Sequence, residues 1–78
     1  ENRIMDAEVG KFIGTGMVML STVGAAIGIG MIGKAALEGI ARNPDAYGNI
    51  MTTMILAIAF AESLAIYALV IAFLILFG

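Results

Sequence analysis

The sequence predicts an all-α membrane protein: a two-helix transmembrane hairpin that assembles into a closed homo-oligomeric ring. Three observations lead there. Two long apolar runs, Phe12–Gly33 and Ile50–Phe77, dominate the chain. A short polar segment holding the single proline, Pro44, separates them. Small residues recur along the first run in two strips.

Composition sets the bounds. Seventy-eight residues make one domain, and 62% hydrophobic against 13% charged residues is a membrane composition. The chain has no His and no Cys, which excludes disulfides, thiolate chemistry and the usual zinc ligand sets. A net charge of −2 without a basic patch gives no sign of nucleic acid. The first apolar run has acidic flanks and no cleavage-like ending, which does not fit a signal peptide.

Residues 1–11 carry five charges and are expected at one membrane surface. A helix is expected over 12–41. Its first twenty-two residues are uncharged, and Lys34 and Glu38 then stand at i, i+4, which suits a helix continuing past the surface. A polar loop is expected over 42–48. Pro44 disfavours helix at Asn43, and Asp45 and Gly48 are good turn residues. The second helix is expected over 49–77, with Asn49 as its N-cap. Lys and Arg number two on each side (Arg3 and Lys11, Lys34 and Arg42), so charge bias does not orient the hairpin.

The run Gly24-Ala25-Ala26-Ile27-Gly28-Ile29-Gly30 places Gly24 and Gly28 on one helix face and Ala26 and Gly30 nearly opposite. These are two GxxxG-like strips. One strip suffices for a dimer; two let each helix pack closely on both neighbours, as a closed ring requires. A Gly-rich helix packed only on its own hairpin partner is the plainer alternative. No strand precedes these glycines, so a phosphate loop does not fit. The second helix is bulkier, with Ala57, Ala61 and Ala65 as a smaller strip. In a ring, the thin helix suits the inner circle and the bulky one the outer, lipid-facing circle.

Glu62 stands alone among the twenty-eight residues of the second run. A helix of that length spans roughly 42 Å, enough for a ~30 Å hydrocarbon core. Glu62 lies twelve residues from one end and fifteen from the other, close to the midplane. A charged side chain there costs about 2.5–3.5 kcal/mol on insertion scales. Binding a proton or a cation relieves that cost, so the residue marks a functional site. Folding the hairpin about residue 45 sets Glu62 level with Gly28, within a turn or so. The missing side chain of Gly28 leaves room for a carboxyl and exposes backbone oxygen.

Taken together, the Gly-rich first helix, the loop Arg42-Asn43-Pro44 and a carboxylate twenty residues after that arginine resemble the c-subunit of F-type ATP synthases, the proteolipid of the membrane rotor ring. The resemblance runs from about Gly14 to Phe77. It implies a ring of identical copies that turns in an energy-coupling membrane, the mitochondrial inner membrane or the bacterial plasma membrane. Glu62 would take an ion from one half-channel, cross the lipid-facing arc neutralised, and release it into another. The implied partners are membrane lipid, the stator a-subunit with its arginine, and the central-stalk subunits gamma and epsilon (or delta). Arg42, Asn43 and Pro44 carry over as the stalk contact. Arg42 is equally explained as a cation at a helix C-terminus. An apolar surrounding favours a neutral carboxyl and a positive neighbour favours an ionised one, so the cycle needs no covalent chemistry and no cofactor. The chain is expected to be non-catalytic.

The family includes proton and sodium rings. Sodium members place a glutamine thirteen residues before the loop arginine, where this chain has Ile29. They read close to Glu-Ser-Thr at the carboxylate, where this chain reads Glu62-Ser63-Leu64. Tyr67 matches a tyrosine that steadies the carboxylate in those rings. Sodium wants several oxygens, whereas a proton needs one carboxyl and one acceptor. Protons are therefore expected, with Gly28, Ser63 and Tyr67 as supporting residues and sodium as the alternative. Tyr67 as a packing residue, and Ser63 bonded to its own backbone at i−4, are the plain readings of those two. A small proton-coupled exporter is a more distant alternative, since two spans without Trp make a poor substrate enclosure. A structural proteolipid explains the hairpin but not Glu62.

Overall fold

A computed structural model describes residues 2–78. It contains helix α1 (Asn2–Arg42), a 3₁₀ turn (Pro44–Ala46) and helix α2 (Tyr47–Phe77). Both helices are long and apolar enough to cross a membrane. They lie antiparallel in a thin rod of 66 × 16 × 7 Å.

The reversal is built from local chemistry. Asn43 takes an extended backbone (φ −141°, ψ 82°), as a residue before proline must. Pro44 opens the 3₁₀ turn, where its missing N–H is no loss. The Asn43 N–H donates to Gly39 O and the Ala46 N–H donates to Asn43 O, both at 3.0 Å. The turn then runs straight into α2. Asn49 is therefore not the N-cap: α2 starts two residues earlier, behind Ala46, with no side-chain cap. The Tyr47 N–H donates to Pro44 O, so the 3₁₀ turn itself occupies the first donor of α2.

The amino-terminal segment also departs from expectation. It continues α1 without a break from Asn2. No proline interrupts residues 2–11, and the lone Gly10 is tolerated within a helix. Glu1, also in the expected surface segment, lies outside the described residues.

Two glycines fix the register. A Cβ built on Gly39 would lie 3.2 Å from Ile50 Cδ1, and one on Gly14 would lie 3.9 Å from Ile75 Cγ2. Each pair of residue numbers totals 89, so Phe77 is level with Phe12. Residues 2–11 stand beyond the end of α2, an overhang of about 15 Å.

The helices meet along a seam of 3–4 spacing, as in antiparallel coiled coils. On α1 it runs through Thr15, Val18, Thr22, Ala25, Ile29, Ile32 and Ala36. On α2 it runs through Met54, Ala57, Ala61, Ala65, Ala68 and Ala72. The expected alanine strip of α2 therefore faces its own hairpin partner and extends two residues further, to Ala68 and Ala72. Among the described residues only Ala36, Ala68 and Ala72 are buried. Most of the large apolar side chains point outward, an arrangement that water disfavours and lipid or neighbouring copies permit. Hydroxyls in the spans turn to their own backbones: Thr15 donates to Lys11 O, Ser21 to Val18 O and Thr22 to Met19 O, at 2.6–2.7 Å.

Candidate ion-carrying site

Glu62 sits near the middle of α2, and the helix–helix register sets it level with Ile27 and Gly28. It is exposed on the hairpin surface. With the α2 seam centred on Ala61, each residue turns the helix by about 100°, so Glu62 projects about 100° to one side. Tyr67 projects about 120° to the other side. Glu62 and Tyr67 therefore occupy opposite flanks of one hairpin.

The first helix divides the same way. Gly24 and Gly28 fall on one side of its seam, and Ala26 and Gly30 on the other, at about 80–120°. In an antiparallel pair, equal senses of rotation from the seam lead to the same flank. Gly24 and Gly28 thus share the Tyr67 flank, and Ala26 and Gly30 share the Glu62 flank. A surface groove lined by Ser21, Gly24, Leu64, Tyr67 and Ile71 displays the first of these groupings directly.

The residues expected to support the carboxylate are distributed accordingly. Gly28 is level with Glu62 but on the other flank, so the space above it is not open to the Glu62 of its own chain. Tyr67 is 64% exposed and points away from Glu62. The Ser63 hydroxyl donates to Ala59 O at 3.0 Å, which occupies its proton and leaves its oxygen free to accept. Ile29 is half-buried in the seam and presents only hydrocarbon. Gly28 and Tyr67 can approach a carboxylate only if the flank of one copy meets the opposite flank of another.

No group of acidic residues fit to hold a metal ion occurs among the described residues. The loop triad is gathered at one tip: Arg42 ends α1, and Arg42, Asn43 and Pro44 are all exposed. The expected i, i+4 pair forms on the approach to that tip, with Lys34 Nζ 4.0 Å from Glu38 Oε1. Sequence reasoning put the two small-residue strips of α1 on opposite faces but missed that Glu62 and Tyr67 fall on opposite flanks. The signal was present in the phase of Glu62 and Tyr67 relative to the alanines, which the 3.6-residue period converts into directions.

Comparison with known proteins adds a separate finding. Residues 13–75 match the family of the ATP synthase C subunit. The ATP synthase c-subunit of Dehalococcoides mccartyi is 50% identical over 74 residues, covering 94% of this chain and 97% of the relative. The first of two ATP synthase c-subunits of Pelobacter propionicus is 51% identical over 75 residues, covering 96% and 75%. That of Geotalea uraniireducens is 55% identical over 65 residues, covering 83% and 70%.

Proposed function

We propose a proton-carrying role for Glu62 on one premise: the chain belongs to the ATP synthase C-subunit family and is a non-catalytic membrane rotor component of an F-type ATP synthase. The observation that carries the proposal is the position of Glu62. It is the sole carboxyl of the α2 span, it stands at mid-span, and it lies on a flank where no residue of its own chain covers it.

In a ring with α1 inside and α2 outside, the Glu62 flank of one copy faces the Gly24, Gly28 and Tyr67 flank of the next. The carboxyl enters the space left by the neighbour's glycines. When protonated, it donates to a backbone oxygen or to the neighbour's Tyr67 hydroxyl. Hydrocarbon around it favours the neutral, loaded form. A stator arginine favours the ionised, unloaded form. Moving the same group between the two surroundings couples proton flow to rotation. Arg42, Asn43 and Pro44, exposed at the loop tip, form the contact with the central-stalk subunits gamma and epsilon (or delta). The setting is an energy-coupling membrane, the bacterial plasma membrane or the mitochondrial inner membrane.

Sodium is the second reading, favoured by Ser63 and Tyr67. Against it stands Ile29, which offers no oxygen where a hard cation needs several. Carbodiimide labelling of the purified ring separates the two. The reagent attacks a protonated carboxyl in an apolar site. Labelling of Glu62 that slows as pH rises and ignores sodium supports the proton. Protection by sodium at constant pH overturns it in favour of the cation.

A further inference from the structure

Phe60 is the one phenylalanine at mid-span. Phe12 is level with Phe77, and Phe73 stacks on Phe77 with ring centroids 6.1 Å apart, so the other three rings gather at one edge of the spans. Phe60 instead stands two residues before Glu62. It is 69% exposed, so its own hairpin gives it little to pack on.

Its direction is set by the alanine seam. One residue before Ala61, Phe60 projects about 100° from the seam, away from Glu62 and onto the flank of Tyr67. Gly28 shares that flank at nearly the same height. A Cβ built on Gly28 meets nothing within 4 Å, so the Phe60 ring leaves the space over Gly28 open. Copies in the proposed ring are parallel, and side chains on a helix lean alike toward its N-terminus, so offsets along α2 carry across an interface. Phe60 of the facing copy then stands about 3 Å to the loop side of Glu62, and Tyr67 of that copy about 7.5 Å to the other side. The carboxyl enters a recess with a hydrocarbon wall toward the loop and a hydroxyl at the far side.

We propose that Phe60 is a shielding residue of the ion site: its ring closes the loop side of the neighbour's Glu62 against water and hydrated cations. The inference rests on the ring reading and adds an element of specificity to it. A proton held on the carboxyl takes up no room and needs no water. A hard cation short of protein oxygens keeps water as ligands, and the Phe60 ring occupies the space that water needs. Phenylalanine suits the task because it is bulky and carries no polar atom. A gap in its place would be lined by the Glu62 carboxyl, the Tyr67 hydroxyl and backbone oxygen, the kind of polar cavity that takes up water.

Infrared spectroscopy of the intact ring in lipid vesicles tests this. The carboxyl stretch of protonated Glu62, identified as the band missing from E62Q, falls in frequency when water hydrogen-bonds to it and shifts on exchange into heavy water. In the unaltered ring the band is expected at high frequency and slow to exchange. Phe60→Ala is expected to lower it and to speed exchange several-fold. Phe60→Leu, which restores much of the hydrocarbon, is expected to stay close to the unaltered ring. Ile71→Ala removes a side chain from the same flank nine residues beyond Glu62, about 13.5 Å away, and is expected to change neither frequency nor exchange. Phe60→Ala with unaltered frequency and exchange overturns the shield. An equal effect from Ile71→Ala also overturns it, because a loosened interface then suffices. Failure of the underlying ring reading looks different: the unaltered chain would run as a monomer on native gels before any spectrum is taken.

Discussion

Replacing both Gly24 and Gly28 with leucine separates the stability of the hairpin from that of the ring. Within one chain, a Cβ at either position meets nothing within 4 Å. The added Cβ atoms therefore disturb no contact of the hairpin, and at Gly24 the rest of the side chain has an open groove to enter. They raise helix propensity instead, by somewhat less per site than the ~0.8–1 kcal/mol that separates glycine from alanine. That gain is present in a free hairpin and in an assembled one, so it cancels from assembly. Between copies the effect is opposite. Glycines allow close backbone approach, and four extra carbons at each position must displace the neighbour's Glu62 flank. Overpacking costs about 1–3 kcal/mol per site, hence about 2–6 kcal/mol at each interface for the pair. The ring multiplies this by its number of interfaces. The expected outcome is a hairpin that keeps its helical circular dichroism, gains thermal stability in detergent, and fails to form rings on native gels. Rings of unchanged thermal stability would refute the reasoning, since the Gly24 and Gly28 flank could not then be an interface.

Other substitutions probe the remaining parts. Glu62→Gln keeps the shape and a hydrogen-bond donor but cannot ionise; rings are expected to assemble normally while proton flux through the reconstituted complex falls to background. Gly39→Val targets the opposite surface: its Cβ would come 3.2 Å from Ile50 Cδ1, so the Ile50 side chain must give way to it and to the two added methyls, and denaturant unfolding in detergent is expected to show a hairpin less stable by about 1–3 kcal/mol. Ile29→Gln introduces the missing oxygen on the first helix; if the carrier is a proton because that oxygen is absent, the variant is expected to show sodium protection of Glu62 labelling that the unaltered ring lacks.

The hairpin, its turn and the exposed carboxyl were legible because each rests on a local signal. Charge-free runs of helix-spanning length mark the spans, and Pro44 marks the turn through its effect on Asn43. The helix ends were less legible. Asn49 has the chemistry of an N-cap, but a cap is needed only where donors are orphaned, and the 3₁₀ turn from Pro44 had already taken the first one. Charge in residues 2–11 suggests a surface segment, yet charges two or three residues apart sit comfortably on a helix in water. The two small-residue strips of α1 lie outside the seam of the hairpin, which is made on α2 by alanines, Ala57 through Ala72, and Gly24 is exposed. A small residue shows where two backbones can approach, not which backbone arrives.

That distinction bears on why the carboxyl lies where it does. Had Glu62 occupied the position of Ala61 or Ala65, α1 of its own chain would cover it permanently. Exchange with water would then require the hairpin to open. On the flank, in the proposed ring, the cover would come from a neighbour, and the outward edge of the same flank would face whatever the ring turns past. A carboxyl so placed can be shielded by hydrocarbon over most of a rotation and met by a fixed cation over the rest, without any change within the hairpin. Glu62 and Tyr67 stand five residues apart on the same helix, so α2 itself holds them at a constant offset on opposite flanks in every copy. Substituting Ala61 by Glu together with Glu62 by Ala tests this directly. The carboxyl count is unchanged and the height differs by about 1.5 Å, but the group turns about 100° into the seam. Rings or hairpins that form are expected to lose both carbodiimide labelling and proton flux. Retained labelling at position 61 with normal flux would show that access does not depend on the flank.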